Sequence, residues 1–270
     1  MNLKKLAVIG VGNMAKSVIS GILQADLPVS TMILHDKNEE QYVSLPSSDR
    51  FSFAPTVQEA IQDADCVLLA VKPQNYTDVL SEIAQVCCHR EKLYISIAAG
   101  IASADVSQAL GGAPVVRVLP NVPMLIGKGV SLICENPDVS PEDFTFVCDV
   151  FRAAGSIQLI DEKDMNRMIG VTSSSPAYVF RFINAIYQGA LQQGVSDRDL
   201  LNSICDVVIG SALLLKSSND TPQQLIEKVA SKGGTTEKAL EKLTEHQFDE
   251  AIASAMIACT QRADELGQKK

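Results

Sequence analysis

Seven short β-branched or aliphatic runs alternate with polar helical segments and then cease: Leu6 to Ile9, Met32 to His35, Cys66 to Val71, Leu93 to Ala98, Val115 to Leu119, Val130 to Cys134 and Ser156 to Ile160. Apolar runs of this length, separated by helices, suit strands buried on both faces, so this part is expected to form a mostly parallel α/β sheet. Helix signals fall between the runs. Ser103 precedes one helix, Ser140-Pro141-Glu142-Asp143 offers a cap, a proline for the first helical position and early acids, and Gly155 is placed to close that helix. Beyond Asp161 the strand pattern disappears and apolar residues recur at steps of three and four. The expected domains are therefore residues 1–160, an α/β unit, and 161–270, an all-helical unit of about five helices.

The first run leads into Gly10-Val11-Gly12-Asn13-Met14-Ala15, and Val18, Ile19, Ile22 and Leu23 follow at helical spacing. This matches G-x-G-x-x-G/A in a strand-turn-helix setting, which points to a Rossmann-type dinucleotide site. Gly10 permits a tight turn, Gly12 lets the backbone approach a pyrophosphate, and Ala15 allows close packing of helix on strand. Asn13 and Met14 open the helix whose N-terminus faces the phosphates. Asp36 lies 24 residues after Gly12, where an acid hydrogen-bonds the ribose of NAD, while Lys37 offers a cation for the 2'-phosphate of NADP. A solvated turn accounts for Lys37 equally well. Three more segments sit where strands end, the edge at which open α/β sheets bind ligands: Ala70-Val71-Lys72-Pro73, Ala98-Ala99-Gly100, and the loop containing Asn121.

In the helical part, Val179, Phe182, Ile183, Ile186 and Ala190 line one face. Leu201, Ile204, Cys205, Val208, Ala212 and Leu215 line another, and Leu200, Val207 and Leu214 add a second stripe to that same helix. A helix apolar nearly all round must be buried on most sides. A second subunit covering one face is the expected solution, and a central helix inside a single-chain bundle is the alternative. Phe248 to Leu266 forms the last helix. Between two helical patterns lies Ser231-Lys232-Gly233-Gly234-Thr235-Thr236, a Gly-Gly pair flanked by hydroxyls at a helix start. It suits either carboxylate binding or a plain capped turn.

Composition narrows the partners. A net charge of -9 argues against a nucleic-acid binder, and unbroken aliphatic stretches such as Val207 to Leu215 stop short of a membrane span. Lys4 and Lys5 imitate the start of a signal peptide, but Gly10, Gly12, Asn13 and Lys16 interrupt the apolar run, which reads as a strand. Seven cysteines lack any C-x-x-C, and the three histidines stand apart, so no metal is expected and a reducing cytoplasm suits the thiols. The vicinal Cys87-Cys88 pair is read as packing before redox chemistry.

Together these residues resemble the pyrroline-5-carboxylate reductase family over nearly the whole chain. The matching pieces are Ile9 to Ala15, Ala70 to Gln74, Ser96 to Gly100, Arg117 to Pro123, Ser174 to Tyr178 and Ser231 to Thr236. The resemblance implies a Rossmann domain followed by a helical domain that forms a homodimer or higher homo-oligomer. It implies reduction of 1-pyrroline-5-carboxylate to L-proline by NADP(H), with NAD(H) as the alternative cofactor. Thr236 matches the position that hydrogen-bonds the reacting nitrogen, and Ser231, Gly233, Gly234 and Thr235 would hold the substrate carboxylate. Three departures stand out: Thr172-Ser173-Ser174-Ser175 carries serines where the family often has two glycines, Leu119 replaces a common Met, and Lys232 replaces the Pro before the Gly-Gly pair. The loss of two glycines questions that loop's backbone freedom. A hydroxyacid dehydrogenase and a non-catalytic NAD(P) sensor are the competing readings; Lys163 and Lys216 lie outside any match to the catalytic lysine of the first, and the full Gly-Gly-Thr-Thr segment disfavours the second.

Overall fold

The computed structural model describes residues 3–86 and 89–268, so the Cys87-Cys88 pair lies outside the described residues. Eight strands form one sheet: β1 (Lys4–Ile9), β2 (Val29–His35), β3 (Phe51–Phe53), β4 (Cys66–Leu69), β5 (Leu93–Ser96), β6 (Val115–Leu119), β7 (Gly129–Cys134) and β8 (Gly155–Ile160). Their order is β3-β2-β1-β4-β5-β6-β7-β8, and every neighbouring pair is parallel except β6 with β7. All seven expected runs are strands. β3 was not anticipated, because three edge residues are too short to show an alternation.

The unbroken apolar runs have the expected cause. Leu6 and Val8 of β1 enter one buried cluster with Val18, Ile19 and Ile22 of α1 (Asn13–Gln24) and with Phe146, Val147 and Phe151 of α5 (Pro141–Arg152). Ala7 and Ile9 enter the opposite cluster with α2 (Val57–Gln62), α3 (Tyr76–Ile83) and α4 (Ser103–Ala109). Both faces of the sheet are thus covered, so adjacent residues of one strand are both apolar. Lys4 is held in place: its Nζ donates to Asp143 at 2.7 Å and lies 5.5 Å from the Phe146 ring centroid, tying β1 to α5.

Two local expectations are corrected. Ser103 is the first residue of α4 and not its cap; its backbone N–H and hydroxyl both donate to Glu162. Gly155 does not close α5, which ends on Ala153. It opens β8 at φ 150°, where a Cβ would lie 2.2 Å from the Gly129 carbonyl oxygen. Ser140 does cap α5, accepting from the Asp143 N–H. The serine-rich segment keeps right-handed backbone: a π-helical turn spans Ile169–Ser173, and Ser174 has φ -91° and ψ -27°, so serines fit without the freedom of glycine.

Past β8 there are six helices among the described residues: α6 (Glu162–Met168), α7 (Ser175–Gln192), α8 (Leu200–Ser217), α9 (Pro222–Val229), α10 (Thr235–Glu245) and α11 (Phe248–Gln268). The chain divides into two compact units, Met1–Ser174 with Met256–Lys270, and Ser175–Ala255. The α6 helix and the end of α11 belong with the sheet because Met165, Ile169 and Ala263 share a buried cluster with Leu119, Leu132 and Cys134. In the second unit α8 is not a covered central helix: only its Ile204 is buried, and Val207, Ile209, Leu213 and Leu214 are all more than half exposed. That removes the single-chain bundle core as its explanation. By length and composition α8, with a mean hydropathy of 1.5 over 18 residues, also suffices to cross a membrane. Unbroken aliphatic runs do not reveal this, because Ser203, Asp206 and Ser211 interrupt them.

Candidate active site

In the sheet unit, the strand order reverses direction at β1, with β2 on one side and β4 on the other. A crevice outside the carboxyl ends of such strands is where open α/β sheets hold ligands. A cavity of about 450 Å³ occupies this place, and Gly10, Gly12, Asp36, Lys37, Ala70, Val71 and Lys72 all line it. Gly10 has φ 90°, and a Cβ there would sit 2.9 Å from Val71, so the turn needs glycine to pass β4. At Gly12 an added Cβ meets nothing within 4 Å. The space in front of Gly12 is open, which is what a phosphate approaching the backbone requires.

The next feature is α1 itself. Gly12 is its cap residue, no side chain caps it, and its first turn carries no acid. The first backbone N–H groups of an α-helix have no partner within it, and together with the helix dipole they favour an anion. Asn13 and Met14 stand in this first turn, and Ala15 is fully buried against the sheet, as close packing of helix on strand demands. These features fit a dinucleotide pyrophosphate. Asp36 directly follows β2, and both its carboxylate oxygens accept backbone N–H groups, from Val11 at 2.7 Å and from Asn38 at 2.9 Å. The Lys37 ammonium is exposed and 3.7 Å from Glu82.

The remaining strand-end residues lie outside this cavity's lining. Pro73 starts the short turn ahead of α3. Ala98 is buried and Ala99 half-buried. Gly100, at φ 82°, packs so tightly on the end of α11 that a Cβ would lie 2.4 Å from the Ala263 carbonyl oxygen. The Asn121 side chain is engaged internally: Nδ2 donates to the Thr172 carbonyl, and Oδ1 accepts from the Val130 N–H. His35, Gln41, Asn75 and Asp78 line the cavity and were not singled out from the sequence. His35 and Gln41 flank Asp36 closely enough to have been suspected, whereas Asn75 and Asp78 arrive from α3 and its preceding turn only through tertiary packing.

In the second unit, Ser231 to Thr236 forms the turn between α9 and α10. The turn needs Gly233, whose φ is 75°. Gly234 caps α10 without a side-chain partner, and its own N–H donates to the Ser231 carbonyl at 2.9 Å. Thr235 and Thr236 are the first two residues of the helix, with Thr236 half-buried. The segment therefore forms a helix start. One participant was missed: Glu237 folds back so that its Oε2 accepts from the Gly233 N–H at 2.7 Å, a carboxylate on the kind of donor proposed for an anion. Its position four residues after Gly233 was the available signal. Lys232 is exposed. Among the described residues, no three His, Cys, Asp or Glu side chains form a group able to hold a metal.

Comparison with known proteins matches these two regions separately and the chain as a whole. Residues 5–100 match a family model described as NADP oxidoreductase, coenzyme F420-dependent, and residues 162–266 match pyrroline-5-carboxylate reductase dimerisation. The pyrroline-5-carboxylate reductase of Escherichia coli K12 is 33% identical, covering 98% of this chain and 99% of that protein. The corresponding enzyme of Haemophilus influenzae is 34% identical, covering 98% of each. The crystal structure of Plasmodium falciparum pyrroline carboxylate reductase with NADP bound superposes with a TM-score of 0.89 at 27% identity, covering 99% of this chain and 100% of that one. With the glycine turn, the open crevice beside it and the Gly-Gly helix start all present in a chain that aligns end to end with these enzymes, it belongs to the pyrroline-5-carboxylate reductase family.

Proposed function

We propose that the protein reduces 1-pyrroline-5-carboxylate to L-proline with NADP(H), the last step of proline biosynthesis. The observation that carries this is the open space before Gly12 at the uncapped start of α1, in a chain collinear with pyrroline-5-carboxylate reductases. When bound, the reduced nicotinamide supplies a hydride to the imine carbon. Gly10, Gly12 and the first turn of α1, with Asn13, Met14 and Ala15, hold the pyrophosphate. Ala70, Val71, Lys72 and Pro73 wall the crevice, with Lys37 toward the 2'-phosphate. Ala98, Ala99, Gly100 and Asn121 shape the strand ends nearby.

On the helical side, the substrate carboxylate binds at the start of α10 to the Thr235 N–H and the Ser231 hydroxyl and displaces Glu237 from the Gly233 N–H, while the Gly234 N–H stays on the Ser231 carbonyl and shapes the turn. The Thr236 hydroxyl hydrogen-bonds the ring nitrogen, which orients it without placing a like charge beside a protonated imine. Reduction adds a hydride to carbon while the nitrogen carries the proton, so the residues here need to align and polarise and do not need to transfer electrons.

The exposed apolar helices α7 and α8 pack against a second copy, forming a homodimer or higher homo-oligomer; this copy, not lipid, covers α8, in line with the dimerisation model over residues 162–266. A cytoplasmic setting suits the chain, because Cys66, Cys134, Cys148, Cys205 and Cys259 are all free thiols. The deciding experiment follows NADPH oxidation with 1-pyrroline-5-carboxylate and with small hydroxyacid and ketoacid pairs. Turnover confined to the cyclic imine is expected, and turnover confined to the hydroxyacid pairs would replace this function with that of a hydroxyacid dehydrogenase.

A further inference from the structure

We infer that Asp36 is a positioning residue that latches the glycine-rich turn to the end of β2, and that it does not read the cofactor ribose. The inference rests on the cavity beside Gly10 and Gly12 being the NADP(H) site. An acid after the second strand normally accepts from the ribose 2'-hydroxyl and so opposes a 2'-phosphate. In this chain the backbone fixes the carboxylate in place, taking one lone pair on each oxygen. Its Oδ2 accepts from Val11 N–H at 2.7 Å and its Oδ1 from Asn38 N–H at 2.9 Å. Hydrogen bonds from backbone N–H to an ionised carboxylate are of the strong, charge-assisted kind.

The neighbouring backbone completes the latch. Gly10 N–H donates to the His35 carbonyl at 2.8 Å, and Asp36 N–H donates to the Tyr42 hydroxyl oxygen at 2.7 Å. Two consecutive residues of the turn are thereby joined to two consecutive residues at the strand end. Val11 is 0% exposed, so turning the carboxylate toward a ribose would leave a buried N–H without a partner. That is a larger loss than one solvent-side hydrogen bond to a hydroxyl returns. The charge is held against the protein backbone, and Lys37 and Lys72 line the cavity together with one further acid, Asp78. The site therefore tolerates a 2'-phosphate despite carrying an acid at the ribose position.

The test is calorimetric titration of NADPH, NADH, 2',5'-ADP and 5'-AMP into the unmodified protein, Asp36→Ala and Asp36→Asn, with Tm measured on each ligand-free protein. A latch predicts that in Asp36→Ala both dinucleotides weaken together by about tenfold, with their ratio held within about twofold. Asp36→Asn keeps one acceptor and falls between; it also serves if the alanine variant does not fold. A ribose reader predicts the reverse: NADH and 5'-AMP weaken while NADPH and 2',5'-ADP tighten, shifting the ratio by tenfold or more, and this would overturn the inference. A lowered Tm with all affinities unchanged would overturn it too, leaving a purely structural acid. If the unmodified protein bound none of the four compounds, the cofactor site itself would be misplaced, a failure distinguishable from that of the latch.

Discussion

The two compact units solve the problem of burial in opposite ways. In the sheet unit, β1, β4, β5 and β6 are buried on both faces and helices supply the cover from the same chain. In the unit of residues 175–255, Ile204 is the only buried apolar side chain, while Val207, Ile209, Leu213 and Leu214 are each more than half exposed. Single exposed apolar residues are ordinary, but a whole helix of them marks an interaction surface. The contrast separates a part that covers its apolar residues with its own chain from a part that leaves them exposed.

The sharpest way to break this contrast is a charge on α8. Val207 is 65% exposed in the single chain, so Val207→Glu costs less than about 0.5 kcal/mol if that face meets water. If a second copy covers it, the carboxylate is buried unpaired at a cost of several kcal/mol, and the oligomer dissociates. Light scattering and activity are expected to fall together. An oligomer of unchanged mass would show that α8 lies outside the interface.

A change at the helix start tests the second unit's chemistry with its assembly intact. Thr236→Ala is expected to lower kcat by about tenfold to a hundredfold, the loss of one hydrogen bond to a charged partner. Thr236→Ser should recover most of it, and light scattering should stay unchanged. Unaltered kinetics in the alanine variant would move the ring nitrogen elsewhere.

Within the sheet unit, the two glycines of the turn separate stability from binding. Gly10→Ala forces a Cβ to 2.9 Å from Val71 at a positive φ, and is expected to destabilise by about 1–3 kcal/mol in thermal unfolding. Gly12→Ala meets no neighbour, so Tm should hold while NADPH affinity drops by about tenfold as the backbone loses its approach to phosphate. Equal Tm losses in both would mean that Gly12 serves the fold.

The smallest effect concerns thiols. Burial pushes the Cys134 pKa up to about 11, so at pH 8 about one thiol in a thousand is ionised. Thiol reagents should label Cys134 and the fully buried Cys66 of the sheet unit only on unfolding, and labelling of either in the native protein at the rate of a free thiol would contradict the packing around it.

Much of this was legible because it is local. The runs from Leu6 to Ile160, the turn at Gly10 to Ala15, the cap at Ser140 and the helix start at Gly234 each depend on residues within a few positions of one another. Backbone stereochemistry and period therefore state them directly. The misreadings share the opposite property. Gly155 looks like a helix stop until the backbone of Gly129 is seen beside it, and Ser103 looks like a cap until Glu162 arrives from another element.

By itself the sequence determined a two-faced sheet, a dinucleotide turn and a helix too apolar to stand alone, since each follows from side-chain type at a fixed spacing. Tertiary structure decided which polar groups remain available. It turned the Asp36 carboxylate onto Val11 and Asn38, engaged the Asn121 amide with Thr172 and Val130, pressed Gly100 onto α11, and brought Asn75 and Asp78 to the crevice. A hydrogen bond is satisfied by whichever donor or acceptor lies within about 3 Å, and sequence spacing does not say which distant residue that will be.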